Sequence, residues 1–263
     1  MKRIAFYENS DKPEAGTARA RLASFAQTIG LTVLDADKTT CDAVIVLGGD
    51  GTMLSAVHRF PGIPLLGLNL GSLGYLAGVE APHFEDALRA LRNDAFTLSR
   101  RTALSVKGRT ALNDVVFSRG TSGHAAVIAL SVDGRTATRF FADGLVIATP
   151  TGSTAYSLAA GGPILLPDSQ SVVVTPVCPH ALASRPLVVR DDSRLAVRLV
   201  ARPGAETLDI FADGEAVATI REGEDCRRKG SRDRPPRGVA GCRPLRGAQP
   251  QAGLGRIIAQ VTS

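Results

Sequence analysis

Ala43-Val44-Ile45-Val46-Leu47 runs directly into Gly48-Gly49-Asp50-Gly51-Thr52, and this stretch decides the fold. A short, unbroken apolar run rich in β-branched residues predicts a strand buried on both faces, the kind found inside a parallel sheet. Glycines at the end of such a strand let a ligand approach the backbone, because no Cβ intervenes. N–H groups exposed in that turn make a concave anion site. Asp50, set among glycines, can hold a metal or take a proton from a hydroxyl. The alternative is that Asp50 caps the helix that follows. The segment is neither a Walker A loop nor GxGxxG.

Outward from this turn, the pattern alternates. Residues 3–8 and 31–34 predict strands, with an amphipathic helix between them over 15–29. Met53 to Phe60 predicts a helix whose N-terminus points at the glycine turn, and Pro61-Gly62 ends it. Residues 63–68 predict the next strand, and 82–92 a surface helix. Strands and helices in alternation imply a parallel sheet with ligands at its C-terminal strand ends. After residue 97 short β-rich runs take over, at 102–107, 111–118, 125–132, 144–149, 171–175, 186–190, 194–200 and 207–211. Turn formers separate them, notably Asp133-Gly134 and Asp213-Gly214. The fold expected is an α/β, Rossmann-like N-terminal domain (1–97) and an all-β C-terminal domain (98–224).

Residues 225–263 differ again, with Arg, Pro and Gly dominating and little apolar periodicity. The chain carries a net charge of +6, and residues 221–263 hold ten Lys+Arg against four Asp+Glu. Subtracting these from the totals of 31 and 25 leaves 21 of each sign in residues 1–220. The body is neutral, so the basic excess gives no reason to expect a nucleic-acid partner. No apolar run has the length of roughly 20 residues that a membrane helix needs, and the N-terminus lacks a signal-peptide pattern. A cytoplasmic protein without membrane contact is expected. Cys41, Cys178, Cys226 and Cys242 lack metal-ligand spacing, so no protein metal site is expected.

Two further constellations carry chemistry. Asn113-Asp114 places two polar side chains in an apolar strand context, where they need partners; they can read a base edge or ribose hydroxyls, or form an Asx turn. From Asp143 to Pro163 a strand enters Thr149-Pro150-Thr151-Gly152 and then a hydroxyl-rich helix over 153–160. Thr151, Ser153, Thr154, Tyr156 and Ser157 crowd hydrogen-bonding groups beside helix N–H donors. The plainer alternative is an N-cap and a small-residue packing face.

In this order and at this spacing, the three segments resemble the NAD kinases, ATP-dependent enzymes that phosphorylate NAD to NADP. Gly48–Thr52 is similar to the family's GGDGT motif, Asn69–Leu76 to its next glycine-rich segment, and Asn113-Asp114 to its Asn-Glu/Asp pair. Asp143–Pro163 is similar to its long glycine/threonine-rich signature, and 179–187 to a later segment. The first motif alone is shared with diacylglycerol kinases and, more distantly, 6-phosphofructokinases. The resemblance implies transfer of a terminal phosphoryl group from ATP to the 2′-hydroxyl of the adenosine ribose of NAD. It implies Asp50 as acceptor of the hydroxyl proton, with metal binding or orientation as its alternative role. It places NAD against Asp50, Gly51, Asn113, Asp114, Asp143, Thr151, Thr154, Ala155, Tyr156, Ser157, Leu158 and Ala159. Mg²⁺ accompanies ATP with few protein ligands, and a homo-oligomer, dimer or tetramer, is expected. Two departures stand out. Glu215 replaces the glutamine of the family's Asp-Gly-Gln. After about Glu224 nothing resembles the family's returning strand and aromatic, Leu/Lys-rich close, as out-of-frame reading of a GC-rich gene would produce. The alternative functions are a lipid or sphingoid kinase sharing the first motif, and an NAD-binding module with impaired turnover.

Overall fold

The computed structural model describes residues 1–10, 12–35, 40–71, 74–121, 123–200, 204 and 206–227, and the backbone alone of 228 and 257–262. It divides into two compact units, Met1–Arg101 with Arg237–Val261, and Thr102–Pro236 with Thr262–Ser263.

The first unit contains β1 (Arg3–Glu8), α1 (Pro13–Thr28), β2 (Thr32–Leu34), β3 (Ala43–Leu47), α2 (Asp50–Arg59), β4 (Leu65–Asn69), β5 (Val79–Glu80) and α3 (Phe84–Arg92). β1 pairs in parallel with β2 and β3, β3 with β4, and β4 with β5. Every residue of β3 and β4 is buried, as the unbroken apolar run of β3 requires. Leu22 and Ala26 of α1 and Phe84, Leu88 and Leu91 of α3 pack with Ile4, Ile45 and Leu68 in one core. Helix α2 begins at Asp50, three residues earlier than its apolar periodicity predicts. The glycine turn is thus compressed into Gly48-Gly49, and Asp50 lies in the helix's first turn.

The second unit holds β6 (Leu98–Val106, which enters from the first unit), β7 (Arg109–Ala111), β8 (Asp114–Ser118), β9 (Ala126–Val132), β10 (Arg135–Ala142), β11 (Gly144–Ala148), α4 (Tyr156–Ala159), β12 (Ser171–Val177), β13 (Leu187–Arg190), β14 (Leu195–Val200), β15 (Thr207–Ala212), β16 (Glu215–Arg221) and β17 (Asp225–Arg228). One sheet runs β10-β9-β14-β17 and another β13-β12-β11-β8-β15-β16, all antiparallel. Ile128, Leu130, Val197 and Leu199 of the first meet Val115, Phe117, Leu145, Ile147 and Ile210 of the second in a shared core, the interdigitation of a β-sandwich. The helix expected over 153–160 is a 3₁₀ turn (Gly152–Thr154) and one turn of α4, broken at Ala155.

The loss of pattern read at residue 225 begins later. β17 adds to β14, and Cys226 is buried in the core; two charged residues and a glycine just before it hide the strand. The tail also contributes a strand. β18 (Ile257–Thr262) runs antiparallel to β4, with Ile257 opposite Leu66 and Ile258 opposite Leu65.

Candidate active site

The GGDGT turn of the first unit is shaped by close approach. A Cβ on Gly48 would lie 2.2 Å from Thr52 Oγ1, so only glycine lets α2 start so tightly after β3. Asp50 makes no helix cap. Its Oδ2 accepts the Tyr75 N–H at 2.9 Å, and its Oδ1 accepts those of Leu76 at 2.9 Å and Ala77 at 3.2 Å. The close approach of this segment depends on two more glycines. A Cβ on Gly74 would sit 2.3 Å from Asp50 Oδ1, and one on Gly67 would meet Ala77 Cα at 2.8 Å. A carboxylate offers about four lone-pair sites. Among the described residues, three N–H donors leave one acceptor position, on Oδ2. Asn69 Oδ1 receives the Gly71 N–H at 3.0 Å and steadies the start of the same loop. Ser72 and Leu73, part of the glycine-rich segment singled out in the sequence, lie outside the described residues.

In the second unit the start of β8 meets the ends of β11 and β15. Asp114 pairs with Ala148, and Val115 with Ala212. Thr149 takes the carbonyls of the Asn-Asp segment: its hydroxyl donates to Leu112 O at 2.5 Å and its N–H to Asn113 O at 2.9 Å. The same hydroxyl accepts the Gly152 N–H at 3.0 Å. Gly152 lies against Asn113, where a Cβ would come within 2.0 Å of the Asn113 carbonyl oxygen. The Asn-Asp segment and the Thr-Gly turn are therefore one built object.

The structure gathers Asn113, Asp114, Thr151 and Thr154 around that object. Thr151 is buried, and its carbonyl accepts the Thr154 hydroxyl at 3.1 Å. Ala155, Tyr156, Leu158 and Ala159 form an exposed face beyond it. Two residues go elsewhere. Ser157 is fully buried and shares a 2.9 Å hydrogen bond with Thr175, its hydroxyl pressed into the sheet beneath Gly162. Asp143 precedes β11 at its opposite end, roughly 20 Å of extended chain from Thr149, and pairs with Arg119 at 2.8 Å. Gly51 is exposed in the first turn of α2.

In the sequence Asp213 stands out only as a turn former and as the aspartate of the segment similar to the family's Asp-Gly-Gln, yet its carboxylate accepts the N–H groups of Leu112, Asn113 and Asp114. It belongs to the Asp-Gly turn between β15 and β16, about a hundred residues from the segment it grips. Burial, and then the nearby Asp213 carboxylate, push Asp114 up to about 6. Folded Asp114 therefore binds its proton more tightly than unfolded Asp114. The resulting stabilisation is complete below about pH 4 and lost as pH rises through about 6; such a rise in pKa corresponds to about 3 kcal/mol. Asp114→Asn, which cannot ionise, is expected to narrow the gap in stability between pH 4 and pH 8 by about 1–3 kcal/mol. Denaturant titrations at the two pH values measure it, and an unchanged gap contradicts the assignment.

The ATP-NAD kinase N-terminal domain family matches residues 7–96, and the ATP-NAD kinase C-terminal domain family matches 112–233. The NAD kinase of Carboxydothermus hydrogenoformans is 38% identical over 208 residues, 75% of this chain and 74% of that protein. The NAD kinase of Syntrophotalea carbinolica is 36% identical over 253 residues, 85% and 88% of the two chains. Among solved structures, yeast NADH kinase complexed with NADH matches with a TM-score of 0.76 at 22% identity, over 100% of this chain and 84% of that one. An NAD kinase from Archaeoglobus fulgidus in complex with ATP matches with 0.73 at 23%, over 87% and 90%.

Proposed function

The chain belongs to the ATP-NAD kinase family and transfers the terminal phosphoryl group of ATP to the 2′-hydroxyl of the adenosine ribose of NAD; on that premise we propose how its residues divide the work. Phosphoryl transfer asks mainly for positioning and for neutralisation of charge. Asp50 supplies the acceptor for the 2′-hydroxyl proton. The observation that carries this is the three-donor grip on its carboxylate, which fixes its orientation and leaves one lone pair on Oδ2. Glycine backbone at 48–51 accommodates phosphate. Asn113 and Asp114 hold adenine or ribose polar groups, and Thr151, Thr154, Ala155, Tyr156, Leu158 and Ala159 line the dinucleotide. Asp143 takes a more distant part of it. Ser157 shapes the site from beneath.

Mg²⁺ belongs to this proposal as the counter-ion of the ATP phosphates, where it neutralises charge on the transferred group. Among the described residues no group of three His, Cys, Asp or Glu side chains could hold a metal. A cytoplasmic homo-oligomer completes the proposal. Among the described residues no helix is long and apolar enough to cross a membrane.

Purified protein incubated with ATP, Mg²⁺ and NAD is expected to yield NADP, and with diacylglycerol or sphingoid vesicles in place of NAD to yield no labelled lipid. Labelled lipid without NADP would establish the lipid-kinase alternative. NAD binding without turnover would establish the binding module.

The tail enters the proposal too. The family match stops at residue 233, just where Arg, Pro and Gly take over. Synonymous codons exist for residues 229–255 such that reading one nucleotide later gives an ordered pattern. Lys229-Gly230-Ser231-Arg232 written AAA GGC AGC CGG, for example, becomes Lys-Ala-Ala-Gly. The continuation can read Thr-Val-Arg-Leu-Val-Glu-Leu-Pro-Gly-Val-Asp-Arg-Phe-Ala-Val-Leu-Ser-Pro-Lys-Leu-Gly-Trp-Gly. It holds an alternating strand, a Pro-Gly turn, an apolar run and an aromatic, Leu/Lys-rich close, the pattern whose loss the sequence shows. A single-nucleotide slip near the Lys229 codon would account for the departure from that residue onward.

A further inference from the structure

We propose that Asp213 is a positioning residue for the NAD site, a carboxylate that fixes the Asn113-Asp114 segment by gripping its backbone. This rests on the proposed reading that Asn113 and Asp114 touch NAD. Asp213 and Gly214 are the two central residues of the β15–β16 hairpin, with Ala212 opposite Glu215 and φ of 48° and 84°. Positive φ at both positions is the type I′ turn, which Asn-Gly serves as well as Asp-Gly. The turn therefore does not explain the carboxylate.

The hydrogen bonds do. Asp213 Oδ2 accepts the Leu112 N–H at 2.7 Å, and Oδ1 accepts those of Asn113 at 2.8 Å and Asp114 at 3.1 Å. The Asp213 N–H returns the contact to Asp114 O at 3.0 Å. An amide in its place has one acceptor oxygen, and its NH₂ would face backbone donors. On the carbonyl side, Thr149 holds Leu112 O and Asn113 O. The segment is thus fixed through its N–H groups by one element and through the Leu112 and Asn113 carbonyls by another, and the directions of the Asn113 and Asp114 side chains follow from that. The arrangement also sets a second carboxylate near buried Asp114, an electrostatic cost that a turn selected only for stability has no reason to accept. Asp50 in the first unit is gripped in the reverse sense: there a motif carboxylate is held by loop backbone, whereas here a turn carboxylate holds motif backbone.

The test compares Asp213→Asn, Asp213→Ala and Asn113→Ala in the full chain, by calorimetric NAD binding, by KM for NAD and for ATP, and by Tm. Both Asp213 variants are expected to weaken NAD binding about 10- to 100-fold, with KM for ATP within twofold of the parent and Asp213→Asn the milder. The Asn variant keeps the turn, so it decides the matter if the Ala variant does not fold. Weaker NAD binding in Asn113→Ala with none in Asp213→Asn overturns the positioning role alone. Unchanged NAD binding in Asn113→Ala overturns the reading of the pair and the proposal with it. Parallel losses for NAD and ATP that track Tm make Asp213 merely structural.

Discussion

Asp50→Asn is expected to lower kcat for NADP formation by about 10²–10⁴-fold, the range a positioned acid–base group contributes. Two effects combine. The amide oxygen is a poor acceptor for the 2′-hydroxyl proton. The amide NH₂ also meets backbone donors where Oδ1 or Oδ2 received Tyr75, Leu76 and Ala77. Losing part of that grip costs about 1–3 kcal/mol of stability, a lowering of Tm by several degrees. Steady-state kinetics together with calorimetry separate the two. A variant with lowered Tm and near-parental kcat would mean that Asp50 only ties the loop down. Full loss of kcat with unchanged Tm would mean the hydrogen bonds contribute little.

The second large effect concerns the tail. Deleting one adenine from the Lys229 codon, where that codon is AAA, is expected to raise both Tm and kcat. The restored Val, Leu, Val and Leu would each bury an apolar side chain worth about 1.5–3 kcal/mol. After the entropy of ordering the strand, a net gain of a few kcal/mol corresponds to about 10 °C at this chain length. β4 already accepts a strand from the tail along its flank, through Leu65 and Leu66, and the restored strand would take that place. Sequencing the gene and comparing thermal melts of the two chains measures this. An intact gene without those shifted codons, or a corrected chain no more stable than the present one, contradicts the frame-slip proposal.

Much of the fold was legible because burial leaves a periodic mark. β3 shows the continuous apolar run of a two-sided interior strand, and β9 and β15 show alternation. β10 and β16 were missed because polar residues break the apolar alternation of both, as edge strands allow. The start of α2 was misread because Asp50 and Gly51, in its first turn, weaken helical periodicity. The motifs were legible as chemistry. Their supports were not, since Asp213 and Thr149 act on residues far away in sequence. Nor does a string of hydroxyls reveal that Ser157 points inward to Thr175.

The most direct measurement is the fate of label from γ-³²P-ATP given to the protein with Mg²⁺ and NAD. The account predicts label on the 2′-hydroxyl of the adenosine ribose, recovered as NADP and lost in Asp50→Asn. Label released only as inorganic phosphate, or equal NADP from Asp50→Asn, would contradict it.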